Sequence, residues 1–345
     1  MNNEIMSTLR KPISVFWEPT EFCNLKCKHC YTNSSPEKKL TLDFDSAKRI
    51  IDELYNEGIF AIGMGGGEPL LLPYLCDLIK YVNSKNMNIS ISTNAVLLND
   101  AYILRLKEAG AKILQISVDG LKETHEKIRG EGTYDGLFEK INKVQKAGIG
   151  VRVGFTVNAL NYREINDFID YAKKNNVHVI NFFRYMPYHE NGDYLALNSE
   201  QLYEVAQVLM KRKKENIYDN TSRKFYITFE PLAFFSFLID AEELKDTVCT
   251  AGRSKFVISC DGSISVCNYI SKKIGYLSEG LNNIWDKISD DYSEIHKFIP
   301  KECSNCEYAN ECRGGCKGFS YAYTGAFSSK DKGCYYDLIK DKACS

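Results

Sequence analysis

The chain has 345 residues, 44% hydrophobic and 26% charged, enough for one large catalytic unit and a smaller one. A formal net charge of −1 leaves no basic surface for nucleic acid or an anionic membrane, and no run of about 18 apolar residues is present to span a bilayer. The first residues, MNNEIMSTLRKPIS, lack the apolar core of a secretory signal, so a reducing cytoplasm is expected. There, 13 cysteines point to metal binding or catalysis rather than to disulfides.

Short β-branched runs alternate with amphipathic stretches from Ile13 to about Phe183. The pattern predicts strands at Ser14–Glu18, Phe60–Met64, Asn88–Ser92, Ile113–Val118, Val151–Val157 and Val177–Phe183. Helical periodicity falls at Asp43–Asn56, Pro73–Val82, Asn99–Ala109, Tyr134–Ala147 and Arg163–Asn175. Gly58, Gly110 and Gly148 stand where helix ends favour a left-handed residue. Six strand–helix units imply a parallel sheet with right-handed crossovers, and both a doubly wound sheet and a partial TIM-like barrel satisfy it. In either fold the chemistry belongs at the carboxyl ends of the strands, where the polar clusters fall. Beyond them come an irregular loop (Arg184–Asn198), a polar helix (Ser199–Asn216), an aromatic-rich segment (Phe225–Leu244) and, from Cys249, a cysteine- and glycine-rich region.

After the first strand the chain reads Cys-Asn-Leu-Lys-Cys-Lys-His-Cys, placing Cys23, Cys27 and Cys30 on one loop. Three thiolates are one short of filling a four-iron cluster and leave one iron free to chelate a substrate. A structural zinc ion needs a fourth protein ligand, for which His29 is the neighbouring but tightly wedged alternative. Later strand ends carry Gly66-Gly67-Glu68-Pro69, Ser92-Thr93-Asn94 and Ser117-Val118-Asp119-Gly120, with Arg129 further on.

These motifs resemble the radical S-adenosylmethionine (SAM) superfamily, whose CxxxCxΦC signature is met by Cys23, Cys27, His29 and Cys30. The resemblance implies a partial TIM-like (β/α)6 barrel. It also implies a cofactor cradle in which Gly66, Gly67 and Glu68 receive the methionyl ammonium. Ser92, Asn94, Ser117 and Asp119 then face ribose or carboxylate, and Arg129 pairs with the methionyl carboxylate. Turn chemistry at the strand ends and a surface arginine are the competing readings, and His125 reads equally as a helix-surface residue.

Cys249, Gly262 and Cys267 fit CX9–15GX4C, Cys303, Cys306, Cys312 and Cys316 fit CX2CX5CX3C, and Cys334 closes the set. All seven positions resemble those of the SPASM domain, which implies two auxiliary [4Fe–4S] clusters and three in all. By that resemblance Cys303, Cys306, Cys312 and Cys334 hold the outer one, and Cys249, Cys267 and Cys316 the inner one. Cys260, on an expected Phe256–Cys267 hairpin, is a spare ligand, a hydrogen donor or a buried structural thiol. Cys76 reads as core and Cys344 as idle, while a zinc ribbon on Cys303, Cys306, Cys312 and Cys316 alone leaves the other three unexplained. The expected layout is a barrel over 13–230, a linker helix over 231–248 and the auxiliary-cluster domain over 249–345.

The implied reaction is reductive cleavage of SAM, fed by ferredoxin or flavodoxin, to a 5′-deoxyadenosyl radical that takes hydrogen from a substrate. The resemblance favours a peptide or protein substrate, modified by thioether or carbon–carbon linkage, oxidation or epimerisation. Haem precursors and carbohydrates are the alternatives, and a non-catalytic electron carrier is a third. Asn268, directly after Cys267, stands where sulfatase maturases have a basic aspartate and argues against that branch. Only about a dozen residues precede the first strand, so no leader-recognition domain is expected.

Overall fold

The computed structural model describes residues 11–187, 193–217, 225–230, 249–270, 272–292, 295 and 298–343. The expected linker helix over 231–248, much of the Phe225–Leu244 segment, part of the Arg184–Asn198 loop and Cys344 lie outside them.

Seven parallel strands follow one another in the sheet: β1 (Ser14–Trp17), β2 (Ala61–Met64), β3 (Asn88–Thr93), β4 (Ile113–Ser117), β5 (Gly150–Val157), β6 (Val179–Arg184) and β7 (Tyr226–Glu230). Between them run α1 (Phe44–Asn56), α2 (Leu75–Ser84), α3 (Asp100–Glu108), α4 (Lys122–Arg129), α5 (Leu137–Lys146), α6 (Ile165–Lys174) and α7 (Ser199–Ile217). A doubly wound sheet reverses its strand order at a switch point, whereas this order runs monotonically from β1 to β7, as in part of a TIM-like barrel.

The six expected strands are found within one or two residues at their ends. Four more extend the sheet. β7, inside the aromatic-rich segment, pairs parallel with β6 (Ile227 with Ile180, Phe229 with Phe182). At the other edge β8 (Lys255–Ile258) pairs parallel with β1, Phe256 beside Val15. The expected hairpin turns at Asp261-Gly262 into β9 (Ser263–Ser265), and β10 (Gly275–Tyr276) ends the sheet. The cysteine-rich region therefore continues the barrel sheet. Helix α4, which the sequence reading omitted, is short and strongly polar, with only His125 and Ile128 buried.

One face of the sheet is oily and carries the helices. Val15, Trp17, Ile62, Met64, Leu114, Ile116, Val153, Phe155, Ile180 and Phe182 meet helix residues such as Ala47, Ile51, Leu54 and Phe168 in one core. Helix α1 shows the local logic. Asp43 caps it by accepting from Ser46 N at 2.8 Å, and Ala47, Ile50, Ile51 and Leu54 form its buried stripe. The opposite sheet face is polar: Gln115 Nε2 donates to Ser92 Oγ (3.3 Å), Asn181 Nδ2 to Gln115 Oε1 (3.1 Å) and Thr228 Oγ1 to Asn181 Oδ1 (2.7 Å). Gly154, on the intervening strand, leaves room for Gln115, whose Cγ lies 3.4 Å from where a Cβ would stand. Among the described residues no helix is long and apolar enough to cross a membrane.

Candidate active site

The loop after β1 carries Cys23, Cys27 and Cys30 and closes onto the turn after β2. Gly67 N donates to Thr20 O at 2.7 Å and Glu68 N to Phe22 O at 2.9 Å. A Cβ on Gly67 would sit 2.1 Å from the Phe22 carbonyl oxygen, and one on Gly66 (φ +92°) 2.8 Å from that of Thr20. The glycines of the motif are thus required by the close approach of the cysteine loop. Lys28 N donates to Ile128 O of α4 (3.0 Å), which ties down the far side of the loop.

Each thiol has a polar neighbour. Cys23 Sγ accepts from Leu25 N (3.4 Å) and Asn94 Nδ2 (3.9 Å), Arg129 Nη1 reaches Cys27 Sγ at 3.9 Å, and Thr32 Oγ1 lies 3.3 Å from Cys30 Sγ. Burial pushes the Cys23 thiol up to about 11 and that of Cys27 to about 12. The charge of Arg129 opposes the Cys27 shift, and the neighbouring thiols add to it. Three thiols on one loop suit a shared iron–sulfur centre, and their protons leave when metal binds.

Glu68 is 1% exposed; its Oε1 accepts from Thr93 Oγ1 (2.7 Å) and Leu70 N (3.0 Å), and its Oε2 from Asn94 N (2.8 Å). Burial raises its pKa against those hydrogen bonds. Asn94 also donates to Asn24 Oδ1 (2.9 Å), inside the cysteine loop. Asp119, fully buried after β4, is the hub. Its Oδ1 accepts from Thr156 N (2.7 Å), and its Oδ2 meets His29 Nε2 (2.6 Å) and Arg129 Nε (2.5 Å). Burial alone would raise the Asp119 carboxyl, but Arg129 and His29 outweigh it and hold the group well below the usual carboxylate range. Ser92 and Ser117 are half-buried on the polar face at the ends of β3 and β4. His125 is not on a helix surface: it is 1% exposed, accepts from Asp119 N at Nδ1 (3.1 Å), and burial and Arg129 push it down to about 3.

Sequence reasoning missed Glu18 and Tyr31. The Tyr31 hydroxyl donates to Glu18 Oε1 (2.7 Å), which also accepts from Asn268 Nδ2 (3.2 Å). The available signal was a carboxylate directly after an apolar strand, at the end where the chemistry belongs.

The C-terminal cysteines gather in the two groups named in the sequence. Burial pushes the Cys267 thiol up to about 12 with Cys249 reinforcing it, and Cys316 is raised by burial and by Cys267 and Cys249. Cys303, Cys306, Cys312 and Cys334 line one cavity of about 220 Å³. The donors gathered here are thiols, a set that suits iron–sulfur clusters. Arg184 at the end of β6 joins this region to the barrel. Its Nη1 donates to both oxygens of buried Asp331 (3.0 and 2.9 Å), and the guanidinium lies 3.7 Å over the Phe319 ring. Asp331 in turn accepts from Cys316 N (3.3 Å). Cys260 is buried against the loop after β1 and donates to Pro19 O at 3.2 Å, while Cys76 is buried in α2.

A half-buried thiol triad and a glycine–carboxylate turn at the carboxyl ends of parallel barrel strands, with further thiol sets in the C-terminal region, form the donor set of an iron–sulfur protein. Residues 17–174 match the family model of the radical SAM superfamily, and residues 249–313 that of the SPASM iron–sulfur cluster-binding domain. The chain thus carries a radical SAM domain followed by a SPASM domain. It is 26% identical to the Fe-coproporphyrin III synthase of Methanosarcina barkeri, over 94% of this chain and 88% of that one. To the mycofactocin maturase MftC of Mycobacterium tuberculosis it is 27% identical, over 92% and 81%. In fold it is similar to native anSMEcpe with bound AdoMet (19% identity, 95% of each chain, TM-score 0.79). Streptococcus suis SuiB bound to S-adenosylmethionine is a further structural match (17% identity, 94% and 77%, TM-score 0.73).

Proposed function

We propose that the chain modifies a peptide by abstracting a hydrogen atom, with Cys23, Cys27 and Cys30 holding the SAM-binding [4Fe–4S] cluster. Two auxiliary clusters complete the set, on Cys249, Cys267 and Cys316 and on Cys303, Cys306, Cys312 and Cys334. The observation that carries this reading is the interlock at the strand ends: the cysteine loop, the Gly66–Glu68 turn and the Asp119–Arg129–His29 network meet around the same three thiols. When bound, cluster and SAM supply a 5′-deoxyadenosyl radical.

The protein's own residues place and shield that chemistry. Gly66 and Gly67 bring the cysteine loop against the β2 edge, and Glu68 presents a buried carboxylate for the methionyl ammonium. Arg129 is held by Asp119 with one nitrogen beside Cys27, where it offers a positive charge for the methionyl carboxylate. Ser92, Asn94 and Ser117 supply small polar groups around the ribose, and His29, tied to Asp119, fixes the loop between Cys27 and Cys30. The polar sheet face, with Gln115, Asn181 and Thr228, offers neutral hydrogen-bonding groups to a peptide. A ferredoxin or flavodoxin in the reducing cytoplasm supplies the low-potential electron.

A haem-precursor substrate is the second reading, favoured by the match to Fe-coproporphyrin III synthase over nearly the whole chain. Anaerobic turnover with SAM and dithionite separates the two, using deuterium-labelled probes. One probe is a short precursor peptide, taken from an open reading frame beside the gene where one is present, and the other is an iron porphyrinoid that carries more carboxylates than coproporphyrin III. Deuterium reaching 5′-deoxyadenosine from the peptide supports the first reading. Transfer from the porphyrin alone overturns it in favour of the second.

A further inference from the structure

Among the described residues four carboxylates are buried: Glu18, Glu68, Asp119 and Asp331. Three are compensated. Asp119 faces Arg129 and His29, Asp331 faces Arg184, and Glu68 accepts two backbone N–H groups and the Thr93 hydroxyl and feels the charge of Arg129. Among the described residues Glu18 meets only neutral side-chain donors: Tyr31 Oη (2.7 Å) and Asn268 Nδ2 (3.2 Å) on one oxygen, and Ser259 Oγ (3.4 Å) on the other. Glu21 is the charged group felt by it, of like sign, and burial pushes its pKa up. A buried carboxylate without a cation is costly, and at a site it is the group ready to take a proton.

Its place in the fold is specific. Glu18 continues the side of β1 that carries Ser14 and Phe16, opposite the helix-packed Val15 and Trp17. Its Cβ and Cα lie 3.0 and 3.1 Å from where a Cβ on Gly66 would stand, so it borders the cofactor turn. Tyr31 directly follows Cys30, and Asn268 directly follows Cys267. One hydrogen bond therefore links Glu18 to the residue after Cys30 and another to the residue after Cys267. The Asn268 amide cannot accept a proton, and Tyr31 already donates to the carboxylate.

We propose that Glu18 takes up the proton released when the substrate gives its second electron to a SPASM cluster. This rests on the hydrogen-abstraction reading above. The balance is as follows: a substrate C–H bond breaks and its hydrogen atom goes to the 5′-deoxyadenosyl radical. The substrate radical then loses one electron to an auxiliary [4Fe–4S]2+ cluster, which becomes 1+, and one proton to a Glu18 oxygen. The substrate ends two electrons oxidised, so the reaction is a net oxidation and not a redox-neutral epimerisation. The driving force is electrostatic. An electron arriving on the SPASM set adds negative charge near a carboxylate in a low-dielectric interior, and protonation relieves the repulsion.

The test needs no substrate. Reconstituted full-length enzyme is titrated potentiometrically under EPR at several values between about pH 6 and 9, a span covering buried carboxylates. One proton per electron makes reduction tenfold harder per pH unit, about 59 mV, for one SPASM cluster. Glu18→Gln is expected to flatten that slope, and Glu18→Asp to keep it with its window moved to lower pH. A flat wild-type profile, or a Glu18→Gln slope equal to wild type, overturns the proposal. Should Glu18→Gln lose its iron, an unmoved window in Glu18→Asp overturns it instead. SAM cleavage measured on the same wild-type sample is independent: its absence sinks the radical reading, while the slope still decides on Glu18.

Discussion

Replacing Asp119 with Asn removes one charge from a site where every partner is buried. The Oδ2 position meets both Arg129 Nε and His29 Nε2, and the Asp119, Arg129 and His29 side chains are 0%, 10% and 6% exposed. An amide can still accept from Thr156 N at one oxygen, but its NH2 group then confronts two donors, and Arg129 keeps a buried charge without its counter-ion. Removing one partner of a buried ion pair costs about 3–5 kcal/mol. Urea denaturation of the anaerobic protein, followed by near-ultraviolet circular dichroism, is expected to show a loss of that size. The double variant Asp119→Asn, Arg129→Gln should recover part of it, because the orphaned cation is gone. SAM cleavage should fall in the single variant, since His29 and Arg129 position the loop of Cys27 and Cys30. A loss below about 1 kcal/mol with unchanged cleavage would refute the reasoning, because that is the worth of a solvated pair.

His125 is held at about 3 in the fold, against about 6.5 when unfolded, so between those values the unfolded chain binds more protons. Stability should therefore fall as pH drops from about 6.5 toward 3, by up to about 1.4 kcal/mol per unit, and His125→Asn should flatten that slope in denaturation at several pH values. Arg184→Ala leaves Asp331 buried beside the Cys316 amide, so about 3–5 kcal/mol should be lost and iron should fall from about twelve toward about four per chain; unchanged iron analysis would contradict this. Gly67→Ala puts a methyl 2.1 Å from the Phe22 carbonyl oxygen, which forces the cysteine loop off the β2 turn. Cleavage should drop by at least tenfold, a change of about 1.4 kcal/mol in the barrier, and wild-type turnover would count against the close-approach argument.

Much of this was legible in one dimension because it rests on short-range codes. β-Branched runs between amphipathic stretches gave six strands, and thiolate spacing gave ten cysteines in three groups. What escaped has physical reasons. Helix α4 is too polar and short for periodicity to reveal it, with two buried residues in eight. Strand β7 lay in an aromatic segment whose alternation covers only Tyr226–Glu230. That β8 docks beside β1 is a contact across some 240 residues, invisible to local pattern. The glycine turn was read as a cradle for the cofactor, yet its tightest contacts are with the Thr20–Phe22 backbone. His125 looked like a surface residue because five of its seven helix neighbours are charged, while its ring turns inward to Asp119. Glu18 carries no motif, and only tertiary pairing with Tyr31 and Asn268 singles it out.

The central claim is that Cys23, Cys27 and Cys30 hold a cluster that cleaves SAM. Anaerobic reconstitution, then dithionite and SAM with product analysis by chromatography, tests it directly in wild type and in Cys27→Ala. Wild type should bind about twelve irons per chain and release 5′-deoxyadenosine, while Cys27→Ala should keep about eight and release none. A wild-type protein that loads fully yet forms no 5′-deoxyadenosine, or a Cys27→Ala protein that still does, contradicts the account.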